Sequence, residues 1–301
     1  MRRITPVDAM LLGTVLLWAL NVTVTKYLLG HGFQPLAYAT IRYFAATALF
    51  VGFTYLRERS FRIARSDVKL VVLAAALIYV NQLCFVYGVD KSSASTAALL
   101  LGTTPIWIAI IATSIGFERV QRSFWAAAAL SFVGVGLVAS GNGGFSGRGV
   151  GVLLALLTAI TWGCYSMAIA PLLRRYSPFR ISALVLALGW VPLALTSAPQ
   201  VVHQDFHFGT LTWIGFVYAV IGPLFLTNIL WFTAVSRVGA ARAVLFNNLQ
   251  PFFGVLFALL LLSESLEPLE IAGGLLIFLG IYLERRMRQQ AVVVTRLDSA
   301  S

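Results

Sequence analysis

The sequence predicts an all-α, polytopic membrane protein, and three observations carry that class. Of 301 residues, 59% are hydrophobic and only 11% charged, with a mean hydropathy of +0.87, a composition foreign to water-facing domains. The apolar residues gather into runs of about 20, the length that crosses a bilayer as helix. The third observation is internal: a shift of 146 places Pro105 on Pro251, Glu118 on Glu264 and Gly134 on Gly280. The chain reads as two copies of one unit.

Ten spans are expected, arranged as two five-helix repeats. The first repeat, 1–146, holds runs at about 8–28, 36–56, 68–88, 94–115 and 123–140; the second, 147–288, holds runs at about 149–170, 180–197, 211–233, 241–262 and 269–286. The first run follows Arg2 and Arg3, is longer than a signal-peptide core and lacks a small-residue cleavage site, so it is expected to remain as a span. The loops are short and marked by charge, Gly or Pro, as at Arg57-Glu58-Arg59, Gly141-Asn142-Gly143-Gly144 and Ser197-Ala198-Pro199. Residues 289–301 read as a mobile cytoplasmic tail.

Charge fixes the expected orientation. The net charge is +11, and eighteen of the 22 basic residues fall on the side of both termini while only Lys91 and Arg148 fall on the other. Positive residues accumulate on the cytoplasmic side, so both termini are expected there. The basic balance is thereby explained without nucleic acid. Because five is odd, the second copy must enter the membrane from the opposite face, giving inverted repeats. The correspondence is gapless from 81–137 against 227–283, with Val89/Val235, Ala97/Ala243, Leu99/Leu245, Ala126/Ala272 and Phe132/Phe278 identical.

Several residues stand where an apolar helix would carry none. Proline removes a helix hydrogen bond and crowds the preceding turn, so Pro105 and Pro251 are expected to act as hinges that kink the fourth and ninth spans near the bilayer centre. Asn247, Asn248 and Gln250 lie just before the second proline. Their amides either repair freed carbonyls or face a substrate path. Arg42 lies about six residues, or roughly 9 Å, inside the second span; a charge at that depth is costly, and it either receives a carboxylate or bonds backbone carbonyls. Lys26, near the end of the first span, can snorkel to the outer surface, so a structural role is expected of it. Trp18, Asn21, Tyr79, Gln82, Trp162 and Tyr165 lie deeper than an interfacial belt requires and are candidates to line a cavity, alongside Arg42, Asn247 and Gln250.

Equally informative is what the spans lack. No Asp, Glu or His lies deep in any of them, which weighs against a carboxylate proton relay and against acid–base, nucleophilic or zinc catalysis. Cys84 and Cys164 sit in apolar runs with no partner at ligand spacing, so neither a metal nor a cofactor is expected. An intramembrane enzyme or a receptor would need an acid–base pair or an output domain.

These residues resemble the EamA family of the drug/metabolite transporter superfamily. The resemblance rests on ten spans in two repeats, on Pro105, Glu118, Gly134 and Gly136 in the first, and on Pro251, Glu264, Gly273-Gly274 and Gly280 in the second; Arg42 is similar to an arginine the family often carries in its second span. Within the family the chain looks most like YddG-type exporters of aromatic and other amino acids. That resemblance implies a basket-shaped fold around a central cavity, alternating access, and export of amino acids and related metabolites across the inner membrane, the alternative being another small metabolite or drug. Small multidrug members of the superfamily use a first-span glutamate for proton exchange, whereas here that depth holds Trp18 and Asn21. Energy coupling, by ion, proton or facilitated diffusion, and oligomeric state are not legible.

Overall fold

Lipid offers backbone N–H and C=O groups no partner, so an apolar run must satisfy its own by forming helix. The computed structural model describes residues 5–114, 116, 122–141, 147–238, 246–247, 249–280 and 282–283, and among these no strand occurs. The helices are α1 (Pro6–Gly30), α2 (Pro35–Glu58), α3 (Val68–Lys91), α4 (Ala94–Leu101), α5 (Thr104–Ser114), α6 (Arg122–Gly141), α7 (Gly147–Ile169), α8 (Pro178–Val202), α9 (Thr210–Val220), α10 (Thr227–Val238), α11 (Gln250–Leu262) and α12 (Pro268–Gly280). A π-helical turn, Ile221–Leu226, joins α9 to α10.

Their starts are written locally. Thr5 and Asp8 form a reciprocal capping box ahead of α1, and Pro6, Pro35 and Pro178 occupy first-turn positions of α1, α2 and α8 where a missing N–H costs nothing. Ser93 and Ser177 cap α4 and α8. Seven helical stretches are long and apolar enough to cross a membrane, and three shorter ones, at 124–140, 250–262 and 268–280, are apolar too. The surface agrees with that reading: Leu56 (77% exposed), Val202 (78%), Leu195 (74%) and Leu260 (69%) point outward, an arrangement lipid accepts and water penalises.

The packing places α3 on α7, α2 on α8 and α4 on α11, with α1 against α10 and α11, and α5 against α7. Both ends of the α2–α8 pair are tied. At one end, Gln204 Oε1 accepts from the Gln34 N–H and Gln200 Oε1 from the Leu36 N–H, each at 2.8 Å, so that amides at and just after the end of α8 cap α2. At the other, Glu58 pairs with Arg180 at 2.8 Å and accepts from the Ser177 hydroxyl. Nearby, Asp67 accepts from the Tyr176 hydroxyl at 2.7 Å and from Arg175 at 3.1 Å.

The α3–α4 junction is held from two sides. Lys26 does not snorkel outward; its Nζ donates to the carbonyls of Val89, Asp90 and Ser92 at 3.0, 2.8 and 2.6 Å, neutralising the carbonyl end of α3. On the other side Glu264 accepts from the Ala94 N–H (2.8 Å), the Ser95 N–H (2.9 Å) and the Ser95 hydroxyl (2.6 Å). A carboxylate from the far end of the chain thus caps α4.

The interiors of the helices depart from the expected spans in four places. The run 94–115 is not a kinked helix but two helices, broken at Gly102-Thr103, because Pro105 falls in the first turn of α5 and the hydroxyls of Thr103 and Thr104 take the carbonyls of Leu100 and Leu101 at 2.6 and 2.7 Å. Ser197-Ala198-Pro199 is helix rather than loop: α8 runs on to Val202 with Pro192 and Pro199 inside it, since Pro199 forfeits a single bond near the helix end and Gln200 and Gln204 anchor that end to α2. The run 211–233 is interrupted at Pro223, whose ring crowds the preceding turn and is accommodated by the wider π geometry. In the ninth run the helix begins at Gln250, so Pro251 lies in its first turn. The stretch 239–245, Asn248, Glu118 and the tail after 283 lie outside the described residues.

Helices α6 and α12 meet along a glycine seam. A Cβ on Gly273 would lie 2.5 Å from the Gly134 carbonyl, and one on Gly134 would lie 2.6 Å from that of Gly273. Such contacts bring backbones together without side-chain surface. Gly273→Val is expected to lower the melting temperature of the detergent-purified protein sharply, because backbone must move. Gly136→Ala, with nothing within 4 Å, is expected to hold or raise it by up to about 1 kcal/mol of stability. Glu264→Ala is expected to cost about 2–3 kcal/mol in the same melts through loss of hydrogen bonds to a charged acceptor, whereas Glu267→Ala on the exposed face should leave the melt near wild type.

Candidate functional site

Tyr38 and Arg42 are one turn apart on α2 and share a face. The face turns inward: Tyr38 is 0% and Arg42 3% exposed. Arg42 Nη1 donates to the Tyr38 hydroxyl oxygen at 3.2 Å. Arginine can only donate, so the Tyr38 proton goes to Thr25 Oγ1 on α1, 3.0 Å away. The guanidinium carbon stands 5.5 Å from the Tyr38 ring centre and 5.9 Å from those of Tyr43 and Phe85, an aromatic enclosure that stabilises a cation without neutralising it. Among the described residues no carboxylate comes within ion-pair distance of Arg42, nor does the arginine bond the backbone carbonyls that the sequence had left as its structural alternative. Its Nε is buried without a partner.

Other orphaned atoms lie on the helices around it. Asn21, one turn before Thr25 on α1, is 8% exposed with Oδ1 unpartnered; Gln82, one turn before Phe85 on α3, is 5% exposed with Oε1 unpartnered. Buried polar atoms are ordinarily bonded because leaving one bare costs about 1–3 kcal/mol. Here one cationic donor and two amide acceptors are left bare on three adjacent helices. That combination suits a molecule carrying both a negative group and a hydrogen-bond donor.

The remaining candidates separate into three locations. Tyr165 is buried in the same core as Tyr38, Tyr43 and Phe85, with the 39%-exposed Trp162 tilted against it at 5.3 Å; Tyr79 packs half-buried on that core. Trp18 repairs a break instead: its Nε1 donates to the Pro223 carbonyl at 3.2 Å, which Thr227 Oγ1 also reaches at 2.7 Å, and its ring lies 5.5 Å from Trp231. Asn247, Gln250, Pro105 and Pro251 belong to the crossing of the two broken runs. There a Cβ on Gly102 would lie 2.8 Å from the Pro251 ring, so the breaks abut through a glycine. Asn247 Oδ1 is buried and unpartnered.

Sequence reasoning missed Tyr38, Tyr43 and Thr25, although Tyr38 at four residues from Arg42 was a readable signal. It also missed Pro223, another proline inside an apolar run, and the capping role of Glu264. Among the described residues no cluster of His, Cys, Asp or Glu has metal-binding geometry, and Cys84 and Cys164 are free thiols.

Comparison with known proteins places this architecture. A solved crystal structure superposes with a TM-score of 0.66 at 17% identity, covering 95% of this chain and 98% of its own, which speaks to the fold. The chain is 26% identical over 283 residues to a probable amino-acid metabolite efflux pump of Salmonella typhimurium, covering 89% of this chain and 91% of that one. The corresponding Escherichia coli protein matches at 25% over 282 residues, with the same coverage. A transporter of Archaeoglobus fulgidus matches at 25% over 279 residues, covering 91% and 97%. The model of the EamA-like transporter family matches twice, over residues 5–140 and 149–284. With the family unit occurring twice and spanning nearly the whole chain, the protein belongs to the EamA-like transporter family and is a multi-pass membrane transporter.

Proposed function

We propose that this protein is a secondary transporter that exports amino acids, aromatic and other neutral ones, and related metabolites across the inner membrane. It works by alternating access between two inverted five-helix repeats, 1–146 and 147–288, that make ten crossings with both termini in the cytoplasm. The carrying observation is the buried Arg42, with a bare Nε and no carboxylate partner among the described residues, together with the bare oxygens of Asn21 on α1 and Gln82 on α3. Arg42 receives the substrate carboxylate, the amide oxygens receive the ammonium group, and Tyr38, Tyr43, Phe85 and Tyr165 supply an apolar and aromatic wall. Asn247 and Gln250 stand at the crossing of the breaks, where Pro105 and Pro251 serve as hinges.

The inverted arrangement draws support from contacts that survive exchange of the two halves. Gly134 approaches Gly273 and Ile277, and Gly280 approaches Ala127 and Ser131; adding 146 to Gly134, Ala127 and Ser131 gives Gly280, Gly273 and Ile277. The helix pairs behave alike. The packing of α3 on α7 has its counterpart in α10 and α9 on α1, and that of α5 on α7 in α11 on α1, while α2–α8 maps onto itself. The efflux-pump names of the enterobacterial relatives favour amino acids over other metabolites.

Counterflow of labelled amino acids in proteoliposomes tests the function. Flux above empty vesicles is expected for at least one neutral amino acid, and none for any would refute the substrate class. Arg42→Met, which keeps length and removes charge, is expected to cut flux at least tenfold, the scale of one lost charge-assisted contact, while eluting as a monodisperse peak. Wild-type flux from that variant would remove Arg42 from the site.

A further inference from the structure

An amide side chain is ambiguous: it presents either a carbonyl oxygen or an NH2 group to a ligand, and the two recognise opposite chemistry. At Gln82 the ambiguity is resolved by its neighbour. Asn81, 2% exposed, donates through Nδ2 to the Thr158 carbonyl at 2.9 Å and to Thr161 Oγ1 at 3.1 Å on α7. A carbonyl only accepts, and the Thr161 hydroxyl spends its proton on the Leu157 carbonyl at 2.7 Å, so both partners demand the NH2 side of Asn81. Its Oδ1 therefore faces the other way, where Gln82 Nε2 donates to it at 3.0 Å. Gln82 must then present Oε1, the atom left buried and unpartnered.

The anchor is rigid because the helices that carry it are in backbone contact. A Cβ on Gly88 would lie 2.9 Å from the Ala155 N, one turn from Thr158 and on the α3–α7 interface that Asn81 bridges. Neither helix can slide without breaking both contacts. Gln82 is itself on the face of α3 that one turn later carries Phe85 to the Arg42 guanidinium.

We infer that the Thr158–Asn81–Gln82 relay is a polarity-setting device: it fixes Gln82 as an acceptor for the substrate's ammonium group, and Asn81 is the positioning residue that makes the transporter select amino acids over amine-blocked carboxylates. This rests on the amino-acid reading above and adds to it a reason for discrimination. Arg42 alone binds any organic carboxylate. The fixed Oε1 penalises a carboxylate whose nitrogen offers less charge and bulkier substitution.

The test compares affinities of neutral L-amino acids and their N-acetyl counterparts for the full-length protein in lipid nanodiscs. Wild type is expected to favour the free amino acid by roughly tenfold or more, the size of one hydrogen bond to a charged group. Asn81→Ala releases Gln82 to rotate, and the ratio is expected to collapse towards unity. In the Asn81→Ala/Gln82→Glu double variant both oxygens of the new carboxylate are acceptors, no orientation is needed, and the preference is expected to return. A loss of packing alone would not be rescued in this way. Where Asn81→Ala does not fold, Gln82→Met is read instead, again with a collapsed ratio. Equal binding of both ligand types by wild type, or a full ratio retained by Asn81→Ala or Gln82→Met, overturns the inference. Absence of binding by any amino acid overturns the amino-acid reading, and the inference with it.

Discussion

A helix that breaks inside lipid must find partners for the groups it frees, and this molecule is arranged around how it does so. Three such repairs draw on side chains remote in sequence. Glu264 takes the first N–H groups of α4, Lys26 the last carbonyls of α3, and Trp18 with Thr227 the carbonyl of Pro223. Because the partners come from distant parts of the sequence, the repairs double as the ties that set how the helices sit. Local defects and long-range packing are therefore the same set of interactions.

That economy makes the exceptions meaningful. Arg42, Asn21 and Gln82 are as deeply buried as the repaired groups, yet each retains a bare polar atom. They stand among eight buried side-chain atoms without a partner in the described residues, and they are the guanidinium and two of the three amide groups in that set. An aromatic enclosure surrounds Arg42 where, among the described residues, no carboxylate pairs with it. The cost of leaving it open is carried by the extensive packing of α2 on α8 and its ties at both ends.

Much of the fold was legible in the sequence for a simple reason: in a bilayer, hydropathy and topology are nearly the same quantity. The apolar runs, the duplication and the special standing of Arg42, Asn21 and Gln82 came from residue type alone. What could not be read was direction. Pro105 and Pro223 are both prolines in apolar runs, but one opens a helix after a break and the other sits within a π turn, a difference set by Thr103 and Thr104 on one side and by Trp18, remote in sequence, on the other. Trp18 looked like a cavity residue because depth says nothing of where an indole N–H is spent. Lys26 looked like a snorkelling residue because the carbonyls it caps lie more than sixty residues away. Asn81 was visible only as one more amide until Thr158 gave it an orientation.

The glycine seam between α6 and α12 has a consequence for how the chain is made. Gly134 emerges from the ribosome well before Gly273, an interval on the order of 10 s at ordinary rates of synthesis. Throughout it α6 resides in the bilayer with a bare groove where its neighbour's backbone will sit. A groove of that kind is open to any small-faced helix nearby, including the same helix of a second nascent chain. Insertion of α12 thus ends the period in which a neighbouring copy can occupy this groove.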